Sequence, residues 1–261
     1  MKERYSVIHG AEAIYHKGNE IGVLVSHGFM GTPQSVEHLC KKLSEYGYTV
    51  AAPRLTGHGT HYYDLEKCTA DDWFRSLEEA YLALKDQCTF VFVMGQSMGG
   101  ALTLQLAGKY RDIAGAIVIN AALSVPEYDS LREESGPRFL LEGEPDIKDK
   151  TAYEITYSKV PLHAIHQLQA IMERTPSLLS GVICPVLGIQ STDDHVVPAE
   201  NTDYILEHVG SLEKEQLVLE NSYHVASMDF DKDLIVECSC RFIQKQIKRH
   251  TQSEGQWVES V

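Results

Sequence analysis

Between Phe90 and Leu106 the chain passes from an apolar run, through a Gly-Gln-Ser-Met-Gly turn, into a run of helix formers. The apolar run, Phe90-Val91-Phe92-Val93-Met94, is too short for a helix and rich in β-favouring residues, which predicts a strand buried on both faces. Ala101-Leu102-Thr103-Leu104-Gln105-Leu106 predicts the helix that follows. Gly95 and Gly99 flank a turn so tight that a Cβ at either place would collide with the neighbouring strand or helix. Ser97, between them, is expected at a strained backbone angle at the head of the helix. There the free N–H groups and the positive end of the helix dipole favour developing negative charge. A strand, a Gly-x-Ser-x-Gly turn and a helix, in that order, are the context of a nucleophile elbow. They commit the centre of the chain to a layered α/β structure.

The same strand–helix rhythm recurs on either side. Ile21–Ser26 reads as another buried strand, ending in His27-Gly28-Phe29-Met30-Gly31-Thr32-Pro33. Val36, Leu39, Cys40 and Leu43 share one helical face, closed by Gly47, and Tyr48–Ala52 is the next strand. Pro53–Gly59 is a loop by its Pro and Gly content. Ala70–Lys85 carries Trp73, Leu77, Ala80, Tyr81 and Leu84 at helical spacing, and Ile113–Ile119 is a further strand. After Asn120 the rhythm breaks. Leu123–Ser180 is charged, interrupted by Pro126, Pro137, Pro145 and Pro161, and holds no strand run, so it reads as an insertion over the strand ends. Strand rhythm resumes at Pro185–Ile189, followed by a helix from Ala199 to His208, a last strand at Gln216–Leu219 and a last helix at Asp231–Lys248. The expected organisation is a core of residues 1–122 and 181–250, a mostly parallel sheet flanked by helices, with a cap insertion at 123–180 and a flexible tail at 251–261.

With 261 residues there is room for one sizeable α/β domain and an insert. The formal charge of −14 argues against nucleic acid or an anionic membrane surface as partner and suits an uncharged or cationic small molecule. The six cysteines, Cys40, Cys68, Cys88, Cys184, Cys238 and Cys240, have no metal-ligand spacing, and Cys238 and Cys240 point to different faces of a helix. Met1-Lys2-Glu3-Arg4-Tyr5 lacks the apolar core of a signal peptide, and no run is long enough to span a bilayer. The expectation is a cytoplasmic protein with free thiols and no bound metal.

In a sheet of this kind the residues that follow the strands gather along one edge, where ligands bind. Here they are His27-Gly28-Phe29, Ser97, Asp193-Asp194-His195 and Asn221-Ser222-Tyr223-His224. A serine hydroxyl needs a base to become a nucleophile, and the imidazole that serves needs a carboxylate on its far nitrogen. Among the twelve histidines, His224 follows the last strand and precedes the last helix, as the role requires. His195 adjoins the acid and cannot turn back to be oriented by it. His58 and His61 lie in a Gly-rich loop without a carboxylate cluster, and His163 and His166 are ordinary polar positions of the insert. Asp194 is preferred as the acid because Asp-x-x-Val-Pro sets it at the usual offset from the next helix, with Asp193 as the alternative. Ser97, Asp194 and His224 then occur in the Ser…Asp…His order. The main-chain N–H groups of Met98 and Phe29 are the candidate oxyanion donors.

The strings HGFMGTP (27–33), PRLTGHGTH (53–61), GQSMGG (95–100), DHVVP (194–198) and NSYHVA (221–226) resemble those of bacterial monoacylglycerol lipases and related carboxylesterases of the α/β-hydrolase superfamily. The likeness runs from about Val7 to Phe242 and is weakest across 123–149. It implies the α/β-hydrolase fold with an inserted cap, and cofactor-free hydrolysis of glycerol monoesters; contact with lipid is expected to be at most transient. It carries over Ser97, Asp194 and His224 as triad, Phe29 and Met98 as oxyanion donors, and Glu154 as a cap residue touching the glycerol hydroxyls. Two positions depart from the usual strings: Met30 stands where the family has Thr, and Gln96 where it has Leu or His. One alternative on the same scaffold is a cinnamoyl or feruloyl esterase, with Tyr128, Tyr153 and Tyr157 available to a ring hydroxyl. An alternative of another class is a non-catalytic, hydrolase-fold ligand-binding protein. Such proteins usually lack a triad member, and none is missing.

Overall fold

A computed structural model describes residues 2–132 and 136–258. In chain order its elements are β1 (Ile14–His16), β2 (Ile21–Ser26), α1 (Glu37–Glu45), β3 (Thr49–Ala52), α2 (Tyr62–Leu65), α3 (Ala70–Lys85), β4 (Phe90–Gln96), α4 (Met98–Lys109) and β5 (Gly115–Ile119). There follow β6 (Phe139–Leu141), β7 (Lys159–Pro161), α5 (Leu162–Arg174), β8 (Val186–Ser191), α6 (Glu200–His208), β9 (Lys214–Leu219) and α7 (Lys232–Val258). The main sheet runs β1-β3-β2-β4-β5-β8-β9. Only its edge strand β1 is antiparallel to its neighbour, and the other pairings are parallel.

The strand side chains alternate between two cores, which is why the central strands are apolar throughout. Leu24, Val91, Val93, Ala116 and Val118 face one layer, where Trp73, Leu77 and Tyr81 of α3 and Leu102 and Leu106 of α4 cover them. Val23, Val25, Phe92, Met94, Ile117 and Ile119 face the other, against Leu39 and Leu43 of α1 and Ile235, Phe242 and Ile243 of α7. α3 starts on a capping box in which Thr69 and Asp72 exchange side-chain and main-chain bonds. The register pairs Ser26 with Gly95, Gln96 with Ile119, Ile119 with Ile189 and Ser191 with Leu219. The carboxyl ends of β2, β4, β8 and β9 therefore finish along one rim, the mostly parallel α/β arrangement that the strand–helix rhythm predicts.

The insert departs from expectation. It is not strandless: β6 and β7 pair antiparallel, Phe139 with Pro161 and Leu141 with Lys159. Each is three residues long and bounded by proline or charge, too short for periodicity to register. The short strand β1 and the one-turn helix α2 are likewise too short to give a period. The last helix does not stop at Lys248 but continues to Val258. Arg249 pairs with Glu213 and the His250 ring lies 5.4 Å from Phe90, so tertiary contacts carry the helix past the point where apolar periodicity ends. Of the expected flexible tail, residues 259–261 lie outside the described residues. Among the described residues no helix is long and apolar enough to cross a membrane. The six cysteines are free, with Cys240 buried in the core and Cys238 half-buried.

Candidate active site

Ser97 joins β4 to α4 at φ 55° and ψ −122°, a left-handed conformation that a non-glycine residue adopts at a cost. Its neighbours make the turn possible. A Cβ on Gly95 would lie 2.1 Å from the Gly99 carbonyl oxygen, and one on Gly99 would lie 2.5 Å from the His27 carbonyl oxygen. The serine backbone is held from both sides: its N–H donates to Ile119 O at 2.9 Å, and its carbonyl accepts from the N–H groups of Gly100 and Ala122 at 2.9 and 3.1 Å. The hydroxyl is thereby aimed outward from the rim.

The structure brings His224 and Asp194 to that hydroxyl. Ser97 Oγ lies 2.9 Å from His224 Nε2, and His224 Nδ1 lies 2.8 Å from Asp194 Oδ2. The second Asp194 oxygen accepts from the N–H groups of Val196 and Val197 at 2.9 and 2.8 Å, which fixes the carboxylate plane. With Nδ1–H donating to the carboxylate, Nε2 is left as the acceptor for the serine proton. Asp193 is exposed and has no part in this relay. Serine and histidine are nearly buried, at 8% and 6% exposure, so little bulk water competes for their hydrogen bond.

Phe29 and Met98 border the same place. Neither main-chain N–H has a partner among the described residues. Met98 begins α4, and Gly28 lets the β2 loop approach so closely that a Cβ there would lie 3.3 Å from Ser97 Cβ. His27 holds this loop. Its Nδ1–H donates to Gly28 O at 2.9 Å and its Nε2 accepts from Leu55 N–H at 3.2 Å. Complete burial pushes its pKa down to about 4, so it stays neutral. Behind it the Phe29 ring meets Trp73, His58 and Tyr128 edge-on at 5.9, 6.4 and 6.4 Å.

Above Ser97 lies a cavity of about 210 Å³ beneath the insert. Val125, Leu140, Val160, Ile165, Leu168 and Val196 supply apolar walls. Glu142 and Glu154 stand among them. Burial raises the Glu154 carboxyl to about 7, with His224 pulling the other way. Burial, and then repulsion from Glu154 and Glu127, raises Glu142 to about 7 as well. Glu154 is where the family resemblance expects a cap residue; Glu142, in the weakly similar stretch, escaped sequence reasoning. Of the three tyrosines considered for a ring hydroxyl, only Tyr128 borders this cavity. Tyr157 OH is spent on Gly57 O and Thr60 N–H, both at 2.7 Å, and Tyr153 is 75% exposed.

The departure at position 96 has a place. Gln96 Oε1 accepts from Ser227 N–H at 3.0 Å, tying the elbow to the segment after His224. Asn120, which no motif flagged, is buried at φ 44°. Its Oδ1 accepts from Ser191 N–H at 2.8 Å, and its Nδ2 donates to Ser191 Oγ at 3.0 Å and His224 O at 2.9 Å. A lone Asn after a buried strand was the only signal available. Three other histidines stand apart from the relay: His61 Nδ1 caps α2 by accepting from Tyr63 N–H, His58 is buried against His27, and His166 bonds Leu131 O.

Comparison with known proteins places the chain among lipolytic enzymes. Residues 19–142 match the family model described as Hydrolase_4, serine aminopeptidase S33. The chain is 44% identical, over 94% of its length and 99% of the relative's, to a thermostable monoacylglycerol lipase of Bacillus sp. (strain H-257). It is 26% identical to a carboxylesterase of Bacillus subtilis (strain 168), covering 88% of this chain and 94% of that one. A solved structure from the pair LipS and LipT, metagenome-derived lipolytic enzymes, superposes with a TM-score of 0.89 at 46% identity, covering 92% of this chain and all 100% of that one.

Proposed function

Because the chain belongs to the family of bacterial monoacylglycerol lipases and carboxylesterases within the α/β hydrolases, we propose that it hydrolyses monoacylglycerols through an acyl-enzyme on Ser97. The observation that carries this is the unbroken relay from Ser97 Oγ through His224 to Asp194, at 2.9 and 2.8 Å, opening into a cavity whose lining joins apolar side chains to carboxyl groups.

His224 Nε2 takes the serine proton as Oγ bonds to the ester carbon. The oxygen that gains negative charge is received by the N–H groups of Phe29 and Met98, neither of which has a partner among the described residues. The imidazolium, steadied by Asp194, returns its proton to the departing glycerol oxygen. Water then enters, loses a proton to His224, and attacks the acyl-enzyme. The second collapse restores the serine and frees the fatty acid. The acyl chain lies along the apolar walls, and Glu154 accepts hydrogen bonds from the glycerol hydroxyls. The formal charge of −14 weighs against nucleic acid as a partner and against more than transient contact with an anionic lipid surface. Six free thiols suit a reducing cytoplasm.

The test is a chain-length series of monoacylglycerols and 4-nitrophenyl esters, with Ser97→Ala as blank and methyl ferulate alongside. Each CH₂ buried is worth about 0.8 kcal/mol, so kcat/KM should climb about fourfold per methylene until the cavity is full. A preference for acetyl esters removes the lipid assignment; turnover of methyl ferulate above that of monolaurin favours the aromatic-acid reading.

A further inference from the structure

Asp146 belongs to the insert, yet its hydrogen bonds reach the loops that carry Asp194 and His224. One carboxylate oxygen, Oδ2, accepts from the main-chain N–H of His224 at 3.1 Å and from that of His195 at 3.2 Å. The other, Oδ1, lies 2.8 Å from His195 Nδ1, and the Asp146 carbonyl accepts from Val225 N–H at 3.1 Å. His195 directly follows the relay's carboxylate. A single oxygen atom therefore spans the loop after β8 and the loop after β9, which meet nowhere in sequence.

We infer that Asp146 is a positioning residue for the reaction, holding the acid loop and the histidine loop in register so that the His224 ring meets Ser97 in line. The inference rests on the serine-esterase reading above. The peptide units around His224 are gripped on opposite sides. Asp146 holds its N–H, and Asn120 Nδ2 holds its carbonyl at 2.9 Å. With both ends fixed, the direction in which the ring leaves the backbone is fixed too. A carboxylate shared by main-chain N–H groups makes charge-assisted bonds, about twice as strong as neutral ones. Asp229 makes a second seam beside the first: its carboxylate accepts from Lys148 N–H at 2.7 Å and Asp149 N–H at 3.0 Å in the insert, and from Tyr223 N–H at 2.9 Å in the histidine loop. The insert thus reaches the relay through the Asp146 carboxylate and carbonyl, and the Asp229 seam ties the two residues after Ile147 to the same histidine loop.

The experiment compares Asp146→Ala, Asp146→Asn and His195→Ala with the wild type and with Ser97→Ala. It uses monolaurin and 4-nitrophenyl laurate, well below each variant's measured Tm. A displacement of about 1 Å costs about 10²-fold in rate, so Asp146→Ala should lose about 30- to 100-fold in kcat on both esters, with KM held within about threefold. In Asp146→Asn the amide oxygen can still accept from both N–H groups, so kcat should recover to within about fivefold of wild type. His195→Ala keeps its main-chain N–H and should stay within about threefold. Should Asp146→Ala not fold, Asp146→Ser, too short to span both N–H groups, replaces it. A folded Asp146→Ala with a lowered Tm but wild-type kcat overturns the proposal, as does a rise in KM at constant kcat. If the wild type turns over neither ester faster than Ser97→Ala, the esterase reading falls and the role of Asp146 with it.

Discussion

Replacing Glu154 by Gln should stabilise the protein in alkali while weakening its hold on a glycerol head. Burial raises this carboxyl from its ordinary 4.5 to about 7. Below pH 4.5 the group is protonated in both folded and unfolded chains and contributes nothing. Between 4.5 and 7 the unfolded chain releases the proton while the folded chain keeps it, so stability falls as pH rises. Above 7 the whole penalty is present. A shift from 4.5 to about 7 is 2.5 pK units, and at 1.36 kcal/mol each the ceiling is about 3.4 kcal/mol. Because the site opens into a cavity, about 2–3 kcal/mol is the fairer figure. For a chain of this size that corresponds to roughly 5–8 °C in Tm. Glutamine has the same shape and no charge to desolvate. Differential scanning fluorimetry at pH 8.5 should show Glu154→Gln melting above the wild type, with the gap closing by pH 4.5. In the same variant, kcat/KM for monolaurin relative to 4-nitrophenyl laurate should drop about tenfold at pH 8, the value of a hydrogen bond to a charged acceptor over a neutral one. A gap that does not depend on pH, or a variant that melts lower at pH 8.5, would refute the reasoning.

Two further substitutions probe the frame. In Gly99→Ala the new Cβ would lie 2.5 Å from His27 O, so the head of α4 must retreat by about 0.9 Å to reach an ordinary contact of 3.4 Å. That parts the Met98 and Phe29 N–H groups, and kcat on 4-nitrophenyl laurate should fall about 10²-fold; near-normal turnover would mean the two donors do not act together. Asn120→Ala removes the bonds to Ser191 and His224 O and places alanine at φ 44°. It should cost about 2–4 kcal/mol by thermal or urea unfolding and lower kcat as well. Asn120→Gly relieves only the backbone strain, so full recovery in glycine would show that the bonds contribute little.

What sequence made legible was whatever local chemistry dictates. The elbow is readable because Gly95 and Gly99 are forced by contacts within a few residues of Ser97 and by the close passage of the β2 loop. The central strands are readable because both of their faces are buried, leaving Phe90–Met94 and Ile113–Ile119 as unbroken apolar runs. His224 followed from its position between the last strand and helix. Asp194 differs from Asp193 only in which way the loop turns, and that is set by the Val196 and Val197 amides that its other oxygen receives. Asn120 and Asp146 lay out of reach for a different reason. Each acts on main-chain atoms of His224, across sequence separations of 104 and 78 residues, and main-chain atoms carry no side-chain signature. In β6 and β7 the failure was one of length, since three residues give no period to detect.

Ser97 becomes a nucleophile only through His224, 2.9 Å away. Intact-protein and peptide mass spectrometry after timed exposure to an alkyl fluorophosphonate measures this without assuming any ester substrate. The wild type should gain one phosphonyl adduct, located on Ser97, and His224→Ala should label slower by on the order of 10⁴- to 10⁶-fold, as when a triad base is removed. An adduct on another residue, or a His224→Ala protein that labels as fast as the wild type, would contradict it.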